Sequence, residues 1–569
     1  MASGTETRSG TTLAGRIIAA LRQHGDAPVL RWKRYGLWQP VGGRQFADRI
    51  EAIAAGLRAQ GGGPGSVGAV IGDNCYEWVL ADLAIGAAGG VSAGLDPHGD
   101  ADDLARVLGD CKASVLFVGG DDQLHKALRV RERCPSLRRI VAMHQQWDDG
   151  AGDPCVIPLS ALEAAGRDSA SGTAGREAVI IYTSGGTGPV RGAILGHDAV
   201  IAQAERAKQA LGLRASDERL SLTPLHHVLE RVVGIYASLL AGTVINFPES
   251  PDTALADLAE LQPTIVQASP QLYARLHAGI LLAIGETTKF QRWACRIAFA
   301  HGRDGSPLRM ITDPLVLAPI RRRLGLGRAR LCLSSGATLR PDVADWFAAL
   351  GRPLTDIYGH AEAGGAVRIA DHHAMEWKVG DHDELWLRGD ALFLGYAGNT
   401  TPVLHRDGWW HTGDIARREG ADRYAVVGRL DDVLQRGSER VLPFAAEQEL
   451  SASPYIADAF VHLDRDGRAV AKVLLDGDHA VRYAQDRGIP FTHFQSLCQA
   501  DEIRALVGSA IADVNRRHAA IRIERFTLIE RALRPGDAEL APSGTLRRHL
   551  LKGDDDDLVE ERRSAASAH

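Results

Sequence analysis

Lysine is scarce in this chain. Eight lysines stand against 57 arginines in 569 residues, so a site that needs a cation has mostly guanidinium to draw on. The seven cysteines are scattered and never form a CxxC pair, which argues against metal or redox use and fits reduced thiols in a cytoplasmic protein. No run approaches 18 uninterrupted apolar residues, so no segment is expected to span a membrane, and no basic amphipathic helix suggests surface attachment. The opening residues lack a basic stretch followed by an apolar one, so no signal peptide is expected. A net charge of −6 leaves no global basic field, which excludes nucleic acid as the expected partner. With 45% hydrophobic residues, the chain has enough apolar content to rule out extensive disorder.

What is present is alternation. Short apolar runs at 66–72, 113–118, 138–142, 178–182, 243–247, 264–268 and 329–333 read as buried strands. Amphipathic stretches such as Tyr76 to Ala88 lie between them, which predicts an α/β fold. After Gly428 the texture changes to charged segments, with short strands at 457–462 and 469–475 and a helix from Ala500 to Arg517. The expected organisation is a large N-terminal α/β domain over 1–428 and a small α+β domain over 429–569. The tail opened by Lys552 and four aspartates is expected to fray.

The most informative segment is Tyr182-Thr-Ser-Gly-Gly-Thr-Gly-Pro-Val-Arg-Gly192. It follows a strand and precedes a helix that starts near Asp198. Gly185, Gly186 and Gly188 let backbone N–H groups turn toward an anion, while Thr183, Ser184 and Thr187 supply hydroxyl donors. Arg191 adds a permanent forked cation. No Gly-Lys-Ser/Thr closes the loop, so it is not a Walker A sequence.

The segment resembles the phosphate loop of adenylate-forming enzymes, the superfamily of acyl-CoA synthetases, luciferases and nonribosomal adenylation domains. Further segments follow in the family's order. Pro224-Leu-His-His-Val-Leu-Glu-Arg231 and 262–270 resemble the substrate-entry region of long-chain fatty acyl-CoA synthetases, with His227 beside the acyl adenylate. Ser334-Ser-Gly-Ala-Thr338 is similar to the adenine-side loop, which implicates Gly336 and Ala337. Tyr358-Gly-His-Ala-Glu362 resembles the motif whose aromatic stacks on adenine and whose glutamate binds Mg²⁺. It assigns Tyr358 and Gly359 to the nucleotide and Glu362 to the metal. Asp414, in His411-Thr-Gly-Asp414, corresponds to the ribose-binding aspartate. Gly428-Arg-Leu-Asp-Asp432 is similar to the hinge, with Arg429 near the ribose and Asp432 as the pivot. Taken singly, each has an ordinary structural reading, since Asp414 after a glycine suits a turn and Glu362 suits a solvated carboxylate. Six such motifs in order over about residues 30–550 point to the family.

The resemblance implies ATP and Mg²⁺, with CoA as the family's usual acceptor though not needed by every relative. It also implies a small carboxylic or other oxyacid as substrate, a nucleophilic acceptor, and a mobile C-terminal domain. Three phosphate-facing positions depart from the pattern. The loop lysine is Arg191, the threonine of the glutamate motif is Ala361, and the C-terminal lysine position is Thr545. Arg547 is the candidate replacement, because residues two apart in an extended segment share a face. Three readings follow: an acyl-CoA synthetase relative that uses arginine, a natural-product ligase such as a diazotase that activates nitrite for an aryl amine, and a non-catalytic nucleotide binder. Retention of Glu362, Asp414 and Arg429 argues against the last.

Overall fold

The helix Tyr76–Ala87 carries apolar residues all round, and ten of its twelve residues are buried. A helix of that kind must be covered on every side. In the computed structural model it lies against strands of two parallel-rich sheets. The structure describes residues 12–144, 153–165, 174–183, 190–301, 307–370, 372–399, 407–420, 423–436, 439–531, 533, 537, 539, 546, 548–551 and 559–560.

The chain forms two compact units. The first comprises 1–183, 190–376 and 388–405, and the second 184–189, 377–387 and 406–569. The boundary expected at 428/429 falls within the second.

In the first unit an eight-stranded sheet runs, from edge to edge, through Gly395–Tyr396, Gly192–Gly196, Glu177–Tyr182, Val91–Leu95, Val67–Ile71, Val115–Val118, Arg139–Ala142 and Val156–Pro158. A nine-stranded sheet has Glu218–Leu220, Ile265–Ala268, Leu331–Ser335 and Leu354–His360 as successive parallel strands in its middle. The predicted strands appear within a residue or two of their expected bounds. The segment after the phosphate loop differs, because the strand Gly192–Gly196 returns antiparallel to Glu177–Tyr182 before the helix His197–Ala210 begins. The loop therefore sits on a β-hairpin.

Two consecutive residues of the π-helical turn Leu229–Tyr236 tie the sheets together. Glu230 reaches the nine-stranded sheet, accepting from Arg219 at 2.7 and 2.8 Å and from the Ser221 hydroxyl at 2.8 Å. Arg231 reaches the eight-stranded sheet, donating to the Ser92 hydroxyl at 2.8 Å and the Ile180 carbonyl at 3.4 Å, and it pairs with Asp82. Burial works against both charges, and the paired hydrogen bonds offset it.

The second unit contains a four-stranded sheet of Glu376–Val379, Glu384–Arg388, Trp410–Arg418 and Tyr424–Arg429, the last three antiparallel neighbours, a hairpin of Leu434–Arg436 with Glu439–Val441, and a sheet over Ile456–Leu463, Ala469–Leu475, Ile523–Leu528 and Val559–Glu560. Val559–Glu560 pairs with Arg525 and Phe526; the rest of the tail expected to fray, 552–558 and 561–569, lies outside the described residues. Its helix Asp501–Arg517 matches the expected one, with Ala500 as its cap residue. Among the described residues, no helix is long and apolar enough to cross a membrane, and all seven cysteines are free thiols.

Candidate active site

The phosphate-loop hairpin closes at its mouth. The Thr183 N–H donates to the Arg191 carbonyl at 3.0 Å, and the Arg191 N–H donates to the Thr183 hydroxyl at 3.2 Å. Gly192 is needed just beyond, because a Cβ there would come within 2.9 Å of the Ile180 and Tyr182 side chains. Ser184, Gly185, Gly186, Thr187 and Gly188 lie outside the described residues.

From that mouth a chain of contacts runs to Glu362. The Arg191 guanidinium lies 4.6 Å over the Tyr396 ring, and the Tyr396 hydroxyl donates to Glu362 Oε1 at 2.8 Å. Glu362 occupies the turn between Leu354–His360 and Gly365–Ile369, where Gly364 adopts φ +66°. Buried Gln203 fixes that turn by donating to the carbonyls of Ala363 and Ala366 at 2.6 and 3.2 Å. Glu362 is only 6% exposed. His360 Nδ1 stands 3.9 Å from its other oxygen, and the opposite ring nitrogen shares a 2.7 Å hydrogen bond with the Tyr358 hydroxyl. Tyr396 is the residue sequence reasoning missed. Its signal is tertiary, since the short strand Gly395–Tyr396 pairs with Gly192–Gly196.

The other expected residues of this unit take distinct places. Gly336, with φ +93°, and Ala337 follow the end of the strand Leu331–Ser335, with open space where a Gly336 side chain would be. Gly359 permits close packing, as its Cβ would lie 2.4 Å from the Gly365 carbonyl oxygen and 2.7 Å from Leu229. His227 sits at the start of the π-helical turn, its carbonyl accepting from the Arg231 N–H at 2.9 Å. Burial holds its imidazole down to about 4, so it is neutral at physiological pH.

In the second unit Asp414 and Arg429 are direct cross-strand partners, joined at 2.9 Å, and Asp414 is 4% exposed. Gly413, with φ +74°, and Asp414 lie inside the strand Trp410–Arg418 rather than in the turn that the glycine suggested, and the Gly413 N–H donates to Glu384 at 2.9 Å. Asp414→Ala is expected to weaken ATP binding by about 1.5–3 kcal/mol for each charge-assisted hydrogen bond removed. Titration calorimetry giving wild-type affinity would sink the assignment.

The hinge candidate Asp432 lies 3.5 Å from Arg548, which also pairs with Glu447 at 2.5 Å. Thr545 and Arg547 lie outside the described residues. Burial pushes the Glu447 carboxyl up to about 7, with Arg548 opposing. The folded value exceeds the ordinary one of 4.5. Its stability contribution is therefore complete below that value and is lost as pH rises through about 7. Glu447→Gln should flatten this dependence, shrinking the melting-temperature difference between about pH 5 and pH 8. An unchanged difference rules the assignment out.

Among the described residues, no group of three or more His, Cys, Asp or Glu side chains is arranged to hold a metal. A lone buried carboxylate is nonetheless a suitable magnesium ligand beside phosphates, because Mg²⁺ takes one or two carboxylates and completes its shell with phosphate oxygens and water.

The model of the family described as AMP-binding enzyme matches residues 18–397. The chain belongs to the AMP-binding enzyme family. It is 23% identical to a long-chain-fatty-acid–CoA ligase of Gallus gallus, over 95% of this chain and 80% of that one. It is 26% identical to a long-chain-fatty-acid–CoA ligase of Mycobacterium bovis, over 91% of each chain. Its fold is that of the A domain of the Segniliparus rugosus carboxylic acid reductase, solved with AMP and a co-purified carboxylic acid (TM-score 0.77, 20% identity, 96% and 93% coverage). The α/β architecture with a large N-terminal and a smaller C-terminal part is thus the family's own.

Proposed function

We propose that this family member is an ATP-dependent, AMP-forming ligase that joins a carboxylate to the α-phosphate of ATP, releases pyrophosphate, and passes the acyl group to a nucleophile. The observation that carries this is the continuous contact from Arg191 through Tyr396 to Glu362, a cation and a carboxylate held on one framework at the mouth of the phosphate loop.

The chemistry needs such a framework. A carboxylate has no good leaving group, and it repels the triphosphate it must attack. Arg191 would stabilise negative charge on the phosphates, and the Tyr396 ring would hold that guanidinium over the loop mouth. Glu362 would hold Mg²⁺, with the Tyr396 hydrogen bond orienting its carboxylate. The ion supplies charge neutralisation between the two reacting anions. His227, neutral, would border the acyl group without adding charge. In the second unit Asp414 would accept from the ribose hydroxyls, steadied by Arg429, and Asp432 would serve as the hinge.

The acids named for the relatives favour a carboxylate over nitrite, and the two CoA ligases among them favour the CoA thiol as acceptor. Pyrophosphate release from ATP, screened against fatty acids, aryl acids, and nitrite with an aryl amine, tests the reading. Release with a carboxylic acid supports it; release with none of the three defeats it.

A further inference from the structure

Of the eleven large apolar side chains that stand exposed among the described residues, seven fall between Leu281 and Leu315. The other four are Tyr35, Leu37, Leu255 and Leu394. Single exposed apolar residues are ordinary on a protein surface, but a concentration of this kind marks a surface that meets something.

The segment lies wholly in the first unit. The helix Lys289–Ala300 packs beside the short helix Pro307–Thr312 and the π-helical turn Asp313–Leu317, which also pack on each other. The inner side is already filled. Ala298 and Leu317 belong to the apolar core, and Phe299 stacks on Trp346 with ring centroids 5.0 Å apart. Phe290 and Trp293 face outward with their rings 5.8 Å apart, and they are 72% and 54% exposed. Met310 and Leu315 on the neighbouring turns are 81% and 72% exposed. These four side chains are surplus to the core.

Charge is distributed as unevenly as polarity. Between Pro270 and Arg323 nine Arg and Lys stand against three Asp and Glu, in a chain whose net charge is −6. Asp313, one of the three acids, is already matched by Arg321 at 2.6 Å. Lys289 and Arg296 are exposed four residues before and three after Trp293, so the outward stripe of the helix reads cation, aromatic, cation. Exposed Arg322 and Arg323 end the next helix, Ala318–Arg323. Sequence reading found no basic amphipathic helix because this helix is apolar on its inner side as well; burial separates the two stripes.

Protruding apolar side chains bordered by cations suit a negatively charged bilayer. Aromatic rings settle in the interfacial layer, aliphatic tips reach the acyl chains, and Lys and Arg meet headgroup phosphates. A second copy of the chain suits the face less, since a two-fold contact would set two cationic rims against each other. We propose that this helical hairpin seats the protein on an anionic phospholipid surface, with Phe290, Trp293, Met310 and Leu315 inserted at the interface and Lys289 and Arg296 on the headgroups.

The test is co-sedimentation of the full chain with phosphatidylcholine vesicles that contain or lack phosphatidylglycerol. Wild type should bind the phosphatidylglycerol vesicles at least about tenfold more tightly than the neutral ones, and lose that margin as salt shortens the reach of surface charge. Lys289→Gln with Arg296→Gln should weaken binding to the anionic vesicles by about thirtyfold, the loss of two headgroup-facing cations. Trp293→Ser with Met310→Ser should weaken it by about tenfold or more while keeping the salt dependence. Both variants should melt with the wild type, because the replaced side chains face solvent.

Failure of the wild type to sediment with anionic vesicles overturns the proposal. So does full binding by either double variant. If the wild type self-associates in light scattering and Trp293→Ser with Met310→Ser makes it monomeric, the face belongs to a second copy and the proposal falls. Should that variant melt lower, the Lys289 and Arg296 variant, which alters no apolar packing, decides alone.

Discussion

Glu362→Gln should lower pyrophosphate release at limiting Mg²⁺ by roughly 10²–10³-fold, the range seen when one preorganised electrostatic group is removed from an active site. The substitution is shape-conserving, and the amide oxygen can still accept from the Tyr396 hydroxyl. The backbone here does not depend on the carboxylate, because the Phe393 N–H donates to the Glu362 carbonyl at 2.8 Å and Gln203 holds the turn from beneath. Lost rate therefore reports lost charge. Raising Mg²⁺ should recover part of the activity, since the phosphates and water remain as ligands. Tyr396→Phe is the companion experiment: it keeps the ring beneath Arg191 and removes only the hydrogen bond, so its effect should be smaller. Near-wild-type rates for Glu362→Gln at limiting Mg²⁺ would remove Glu362 from the metal's coordination.

Arg231→Met is expected to cost about 3–5 kcal/mol of stability, the range for breaking a buried ion pair from one side. The guanidinium is 0% exposed. Its loss strands the buried Asp82 carboxylate with, among the described residues, the Tyr236 hydroxyl at 2.6 Å as its remaining donor, while Ser92 and the Ile180 carbonyl lose a donor. The double variant Arg231→Met with Asp82→Leu should recover much of that loss, because the stranded charge goes with its partner. Chemical denaturation of the single and double variants measures both effects. A single variant within about 1 kcal/mol of wild type would show that the pair does not brace the two sheets.

Much of the fold was legible before any coordinates. Strands such as Val67–Ile71, Arg139–Ala142 and Ala469–Leu475 are short apolar runs bounded by polar or turn residues, and Tyr76–Ala87 reads as a helix, although as an amphipathic one where the structure buries it on every side. These are local properties, carried by side-chain polarity and its period. The candidate motifs around Thr183, Glu362 and Asp414 could be picked out for the same reason, since each is a pattern of particular residues within a few positions. Even the cross-strand pairing of Asp414 with Arg429 joins two segments already assigned to the ribose.

The rest depended on residues far apart in the chain. Tyr396 lies 34 residues beyond the Glu362 it orients and far from Arg191, and only the pairing of Gly395–Tyr396 with Gly192–Gly196 puts its ring and hydroxyl between them. Glu230 and Arg231 read in sequence as an unremarkable acid–base pair. In the fold they turn to different sheets, because successive positions on a helical turn point in different directions. Gln267 is a polar residue in an apolar strand, which composition alone would treat as an interruption. Strand pairing alone decides which face of the sheet it lies on. Sequence determined which segments become strands and helices, because those choices rest on short-range sterics and polarity. Tertiary structure decided which side chains meet in the site, because strand order and register are set by burying many distant apolar surfaces at once.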